Sequence, residues 1–412
     1  MAQTSSRKET VLISNGSPES VGISSIRLQR LDKMCLEAIL KNEIPGISYL
    51  VLRKGKIVAQ KAYGMANNSL GKKLKTNSIF RIASQTKAIT STALMMLWEE
   101  GKFQLDDPIS KYIPAFKNPV VLDSLLPNGQ WITHPAKNEI TIRNLLSHTS
   151  GIGYGAIGLD DRIKKIYQKA GIIDLATTKN ISIEENVLKL ATLPLIHEPG
   201  TDFTYSEGLD VVGYLIESLS GVPLDEFYNK HIFEPLGMKD TYFYLPDAKK
   251  DRLVTVQIKE NGSWIPLATT FYDPDYPIKG AKRFFSGGAG LSSTMMDYAI
   301  FLQMYLNKGV YNGVRLLSRT TVDFMLTNQV HDFIHDTGID YGLAFGLNNE
   351  VGHRNGGKGS IESFEWGGYF NTSYFVDPQE ELIGIMMKQT MDATDDSTLW
   401  KFRPLVLQSI DD

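Results

Sequence analysis

The sequence predicts an α/β fold of the α+β kind, in which a mainly antiparallel sheet built from both chain ends is flanked by helices and carries an inserted, mostly helical subdomain. Three observations predict it. Apolar runs punctuated as hairpins stand at Ile47–Tyr63 and again at Ser373–Met387. The stretch between 86 and 285 is instead rich in helical periodicity and loops. Finally, 412 residues with 42% hydrophobic and 22% charged side chains can bury a sizeable core without any membrane span.

In chain order, residues 1–20 read as a polar lead-in and 21–412 as one unit. Its sheet part covers about 21–85 and 286–412, and its helical part about 86–285. Ser24 or Ser25 caps a helix to about Leu40, closed by Pro45-Gly46. Ile47 to Leu52, a turn at Arg53-Lys54-Gly55-Lys56, and Ile57 to Tyr63 form the first hairpin. Ser78 to Ala83 then leads as a strand into a helix from Ser84 to about Glu100. Ile89, Ala93, Leu94, Met96 and Leu97 recur there at helical spacing, and Gly101 stops it. Asp106-Asp107-Pro108 starts a turn, and Ile142 to Leu146 makes a short helix ending near His148-Thr149-Ser150-Gly151. Glu207 to Leu219 is amphipathic and closed by Gly221. Ser373 to Val376, a turn at Asp377-Pro378-Gln379-Glu380, and Leu382 to Met387 form the second hairpin, and a helix over Thr398–Ile410 ends the chain.

The formal net charge of −3 provides no basic footprint for nucleic acid or anionic membrane. The single cysteine, Cys35, excludes an internal disulfide, and its place beside Leu28, Leu31 and Ile39 on a helical face predicts a buried, inert thiol. The polar start Met1-Ala2-Gln3-Thr4-Ser5-Ser6 lacks the apolar region of a secretory signal. The expected location is therefore periplasmic or secreted if a signal once preceded Met1, and cytoplasmic otherwise. Oligomeric state is left open.

Three stretches carry chemistry. In Ser84-Gln85-Thr86-Lys87, a hydroxyl at a helix start lies in the field of unpaired backbone N–H groups, and a lysine three residues on shares its face. That is a nucleophile with an amine able to take its proton. Alone, Ser-x-x-Lys is more often a cap followed by a solvated lysine. Tyr205, in Tyr205-Ser206-Glu207, offers a phenol that a neighbouring ammonium favours as phenolate and that can relay a proton. Trp366-Gly367-Gly368-Tyr369 enters a strand, where glycines mark close approach of another group to the backbone. The N–H groups of Ser84 and Tyr369 are then expected to form an oxyanion hole. His331 and His335 have metal-ligand spacing if helical, but no third ligand accompanies them, and no metal or cofactor is expected. His148 is expected to make structural hydrogen bonds.

Together these stretches resemble the serine β-lactamase and penicillin-binding-protein superfamily, nearest its class C branch, over about residues 20 to 410. Ser84 and Lys87 match its Ser-x-x-Lys motif, Tyr205 its Tyr-x-Asn motif, and Trp366-Gly367-Gly368 its Lys-Thr-Gly position. Leu145-Leu146-Ser147-His148-Thr149-Ser150-Gly151, Glu198-Pro199-Gly200 and Ser286-Gly287-Gly288-Ala289-Gly290-Leu291 are family-like flanks. The Trp-Gly-Gly form is most similar to the family VIII carboxylesterases. The resemblance implies an acyl-enzyme on Ser84, with Lys87 and Tyr205 as a pair of which one takes the serine proton. It places Trp366, Gly367, Gly368, Glu207 and Tyr154 against a small ester, amide or lactam. Trp366 lacks the cation that holds an anionic substrate, and Glu207 replaces an asparagine with a group expected to repel one. An esterase is the expectation; a class C-type β-lactamase or D-amino-acid peptidase and a non-catalytic ligand-binding relative are the alternatives.

Overall fold

The computed structural model describes residues 10–412. Nine strands form its main sheet: β1 (Ser14–Asn15), β2 (Gly46–Arg53), β3 (Lys56–Asn67), β4 (Lys72–Lys73), β5 (Ile339–Tyr341), β6 (Gly346–Asn348), β7 (Phe364–Gly368), β8 (Thr372–Asp377) and β9 (Leu382–Met387). Their order is β1-β3-β2-β9-β8-β7-β6-β5, with β4 on β3, so the first and last hairpins meet where β2 pairs with β9. Every pairing is antiparallel except β1 with β3. The sheet is thus built from both chain ends, as the sequence predicts. The lead-in is shorter than expected: residues 1–9 lie outside the described residues, while Ser14 and Asn15 already pair with Lys56 and Ile57.

All eight residues of β2 are buried, because the sheet is covered on both faces. Tyr49 and Val51 point, with Phe375, Leu382 and Met386, toward α1 (Ser25–Leu40) and the C-terminal helix, where Leu31, Met34, Phe402 and Val406 meet them. Cys35 lies in this layer, and burial pushes its thiol up to about 12. Leu50 and Leu52 point the other way, with Tyr374, Val376, Ile383 and Ile385, into the main core. There they meet α2 (Thr86–Glu99), which is buried from Thr86 through Met95. The C-terminal helix, α7 (Thr398–Leu407), stops before the predicted Ile410. Ile410 instead bridges Ile23, and Ser24 N–H donates to Ser409 O at 2.7 Å, tying the two ends together.

The intervening region holds α3 (Ile142–Leu146), α4 (Asp161–Ala170), α5 (Gly208–Ser220) and α6 (Met295–Leu306), with two hairpins at Val120–Pro135 and Gln257–Pro266. The expected strand before Ser84 is reduced to Phe80–Arg81, paired with Ser292–Ser293. The chain then tightens into a 3₁₀ turn over Ala83–Gln85 and continues as α2. That turn sits against the end of β7: a Cβ at Gly368 would lie 2.4 Å from the Ile82 carbonyl oxygen.

Candidate active site

Ser84 lies in the 3₁₀ turn that opens α2, and the preceding Ala83 holds φ at +43°, a left-handed conformation that costs an alanine about 1–2 kcal/mol. The turn puts Ser84 at the surface of a cleft, 7% exposed, one helical turn from Lys87, which has no exposed surface. Three oxygens ring Lys87 Nζ: Gly288 O at 2.8 Å, Tyr154 OH at 3.0 Å and Ser84 Oγ at 3.3 Å. The Tyr205 ring covers the same nitrogen, 4.8 Å from its centroid. A buried lysine nitrogen is tolerated only with polar partners, and here it has three.

Each neighbour is itself fixed. Asp210, on the first turn of α5, accepts Ser286 Oγ–H at 2.6 Å and Gly288 N–H at 2.8 Å. Those bonds hold the Gly288 carbonyl toward Lys87. Thr90, one turn after Lys87, donates to Gly287 O at 2.5 Å, so α2 and α5 grip the loop together. The loop fits because its glycines are small; a Cβ on Gly287 would lie 2.4 Å from Leu209 O. Burial raises the Asp210 carboxyl, and the Ser286 and Gly288 donors oppose that rise.

Tyr205, half-buried just before α5, receives the indole N–H of Trp366 on its hydroxyl at 3.2 Å. The Trp366 ring is backed by Tyr341, with centroids 5.1 Å apart, so the indole is held in an aromatic wall at the end of the sheet. On the other side, His148 packs against Tyr205 with centroids 4.5 Å apart. Its Nδ1 accepts the Ser206 N–H at 3.2 Å, which assigns the proton to Nε2. Burial and the nearby Lys87 hold the imidazole well below its ordinary value, so it is neutral. Burial likewise raises Tyr154, with Tyr205, Asp210, Glu207 and Asp174 adding to the rise, so Tyr154 is a phenol at neutral pH.

The structure therefore brings Ser84, Lys87, Tyr205, Tyr154 and Trp366 together, and sets Gly368 and Tyr369 beside the Ser84 turn. It places two residues differently from expectation. Tyr154 is 3% exposed and bonds Lys87, so its hydroxyl belongs to the proton network rather than to a substrate surface. Glu207 has no exposed surface and neither of its carboxyl oxygens has a hydrogen-bond partner, so neither substrate contact nor repulsion of an anion fits it. Its burial follows from its backbone, whose N–H donates to Gly153 O at 3.2 Å. His331 and His335 do not share a helix: His331 has φ of +50°, while His335 opens a short 3₁₀ turn and its Nδ1 meets Asp340 at 2.9 Å. The sequence alone does not single out Asp210 or Asp174, and it offers Gly288 only within the family-like flank Ser286–Leu291. The readable signal was two acids, Glu207 and Asp210, at the start of an amphipathic helix.

The family model for Beta-lactamase matches residues 30–408. An uncharacterized protein of Mycobacterium tuberculosis is 32% identical, with 84% of this chain and 86% of the relative aligned. Esterase EstB of Burkholderia gladioli is 28% identical over 88% of this chain and 90% of its own. Among solved structures, EstCE1, described as a hydrolase with promiscuous acyltransferase activity, superposes with a TM-score of 0.79 at 25% identity, covering 94% of this chain and 99% of that one.

Proposed function

This chain belongs to the beta-lactamase family, a serine hydrolase of that fold, and from that premise we propose that it is a carboxylesterase working through an acyl-enzyme on Ser84. The observation that carries the reading is the Ser84 hydroxyl beside a fully buried Lys87 whose two other polar neighbours, Gly288 O and Tyr154 OH, are already in place.

As a neutral amine, Lys87 donates to Gly288 O and Tyr154 OH and turns its lone pair to the Ser84 hydroxyl. Ser84 Oγ attacks the ester carbonyl carbon as its proton passes to Lys87. The resulting ammonium again has three acceptors, so the proton arrives at a site already built for it. The carbonyl oxygen becomes an oxyanion, for which the N–H groups of Ser84 and Tyr369 are the donors. The C–O bond to the leaving group breaks, and the departing alkoxide takes the Tyr205 proton. The Trp366 N–H on the Tyr205 oxygen supports the phenolate at that moment. Lys87 then returns a proton to Tyr205. Water attacks the acyl-enzyme by the same route in reverse, and carboxylic acid and free Ser84 are released.

Two features favour a neutral ester. Trp366 occupies the third-motif position without positive charge, and the cleft wall is aromatic through Tyr205, Trp366 and Tyr369, the last edge-on to Phe271 at 6.3 Å. A substrate carboxylate finds no partner among these side chains. Ester turnover compared with cephalosporin turnover tests this. Short-chain p-nitrophenyl esters are expected to be hydrolysed with kcat/KM well above that for a chromogenic cephalosporin, and Ser84→Ala is expected to lower ester kcat by about 10⁴-fold or more. Preferred turnover of the cephalosporin, or an active Ser84→Ala, contradicts the proposal.

A further inference from the structure

Arg81 is a buried cation that the proposed reaction does not use. It is 2% exposed and ends the short strand Phe80–Arg81, three residues before Ser84. Its Nε–H donates to Pro274 O at 2.6 Å, and Nη1 donates to Val254 O at 2.7 Å and to Gln389 Oε1 at 3.5 Å. These acceptors are carbonyl and amide oxygens, and no carboxylate pairs with the guanidinium among the described residues. Nη2 has no acceptor among them either, and it is not sealed from solvent. A buried charge ordinarily keeps a counter-charge, because burial removes the water that would stabilise it. Neutral oxygens here satisfy Nε and Nη1 but leave the charge and Nη2 open.

Arg81 lines a cavity of about 340 Å³. Leu253, Val256, Leu267 and Ile278 give that cavity an apolar wall. Thr255 lines it too; its hydroxyl accepts Asn67 Nδ2–H at 2.9 Å, and its own proton has no acceptor among the described residues. The one carboxylate on the lining, Asp275, is already balanced, since it accepts from Lys279 Nζ at 2.6 Å. Lys250 adds a second cation, paired only at the surface with the exposed Asp247. Ser84, Lys87, Tyr205 and Trp366 are not on the lining, so the cavity stands apart from the reacting groups.

We propose that this cavity is a second ligand site, one that takes a small carboxylate with an apolar tail, its head on Arg81 Nη2 and its tail on the Leu253–Val256 wall. A carboxylate supplies the charge-assisted acceptor that the guanidinium lacks. The volume is at the small end of the range for small-molecule sites, about 300–1,000 Å³. An inorganic oxyanion fits less well, because it gives up strong hydration and gains nothing from apolar side chains. The head group's partner is preformed: Arg81 N–H donates to Gln389 Oε1 at 3.1 Å, and Gln389 Nε2–H returns to Arg81 O at 3.0 Å. A ligand held by the folded chain alone also stabilises it. The inference concerns binding and does not depend on the esterase reading.

Calorimetric titration with sodium hexanoate, alongside thermal unfolding, tests the site without turnover. Hexanoate is expected to bind the wild type and raise its Tm. Inorganic phosphate and hexanol each keep one half of the ligand, and both are expected to bind about 10-fold more weakly or worse. Arg81→Gln removes the charge and is expected to weaken hexanoate by about 10-fold or more. Should that buried substitution fail to fold, Thr269→Trp decides: Thr269 is an exposed lining residue, and a tryptophan there fills the cavity. Thr269→Trp is expected to keep the wild-type circular dichroism and to weaken hexanoate as strongly. Unchanged hexanoate affinity in Thr269→Trp puts the ligand elsewhere and overturns the proposal. Phosphate or hexanol binding as tightly as hexanoate overturns the carboxylate assignment, and a wild type with neither heat nor Tm shift overturns the site itself. None of these readouts uses Ser84, so the esterase reading stands or falls separately.

Discussion

Trp366 shows how one side chain sets two properties of the site. Its indole N–H ends on the Tyr205 hydroxyl at 3.2 Å, and its ring fills the place where a cation would recruit an anionic substrate. Trp366→Phe keeps an aromatic wall and removes only the donor. A lost neutral hydrogen bond is worth about 1 kcal/mol, so ester kcat is expected to fall severalfold, with KM nearly unchanged in steady-state assays. A kcat equal to wild type would detach Trp366 from Tyr205 in the mechanism. At this scale the sequence was legible where a motif ties neighbours along the chain. Ser84 and Lys87 share a helix face because they are three residues apart. For Tyr154 the sequence suggests a substrate contact, because nothing in local spacing reveals that a phenol 67 residues from Lys87 bonds its amine. That Asp210 meets Gly288 across 78 residues was illegible for the same reason.

Among the elements, the turn into α2 stores strain. Ala83 at φ +43° is followed at once by Ser84, and the turn is compressed against Gly368 of β7. Glycine adopts that conformation without penalty, so Ala83→Gly is expected to stabilise the fold by up to about 1 kcal/mol in urea unfolding. A clear loss of stability would mean that the alanine methyl, buried with Tyr272, Tyr276 and Phe370, contributes more than the strain costs. Sequence pattern placed α1, α3 and α5 within a residue or so of their observed bounds, because each has a serine or threonine cap or a closing glycine. The helices over Asp161–Ala170 and Ile183–Leu190 lie where the sequence reads only as helix-rich with loops, although Asp160 and the Ser182–Glu185 capping box mark their starts. The strand expected over Ser78–Ala83 shortens to Phe80–Arg81, because Ile79–Ala83, Arg81 included, is buried on all sides and continuous burial carries no period.

Over the whole molecule, the sheet closes where β2 from the first hairpin pairs with β9 from the last, and the reacting groups gather at its border with the helices. Ser84 comes with α2, Tyr154 with the strap after α3, Tyr205 with the entry to α5, Gly288 with the loop before α6, and Trp366 with β7. The sheet of two chain ends was readable because apolar runs punctuated by turns stand at both, whereas the meeting of five segments around Lys87 and Tyr205 is a property of packing. That convergence is the claim on which the account stands, and a trapped intermediate reports it directly. Peptide mass mapping of enzyme quenched during p-nitrophenyl ester turnover is expected to find the acyl group on Ser84 in wild type and on no residue in Ser84→Ala. An acyl group on another residue, or steady turnover with Ser84 unmodified at every quench time, would contradict it.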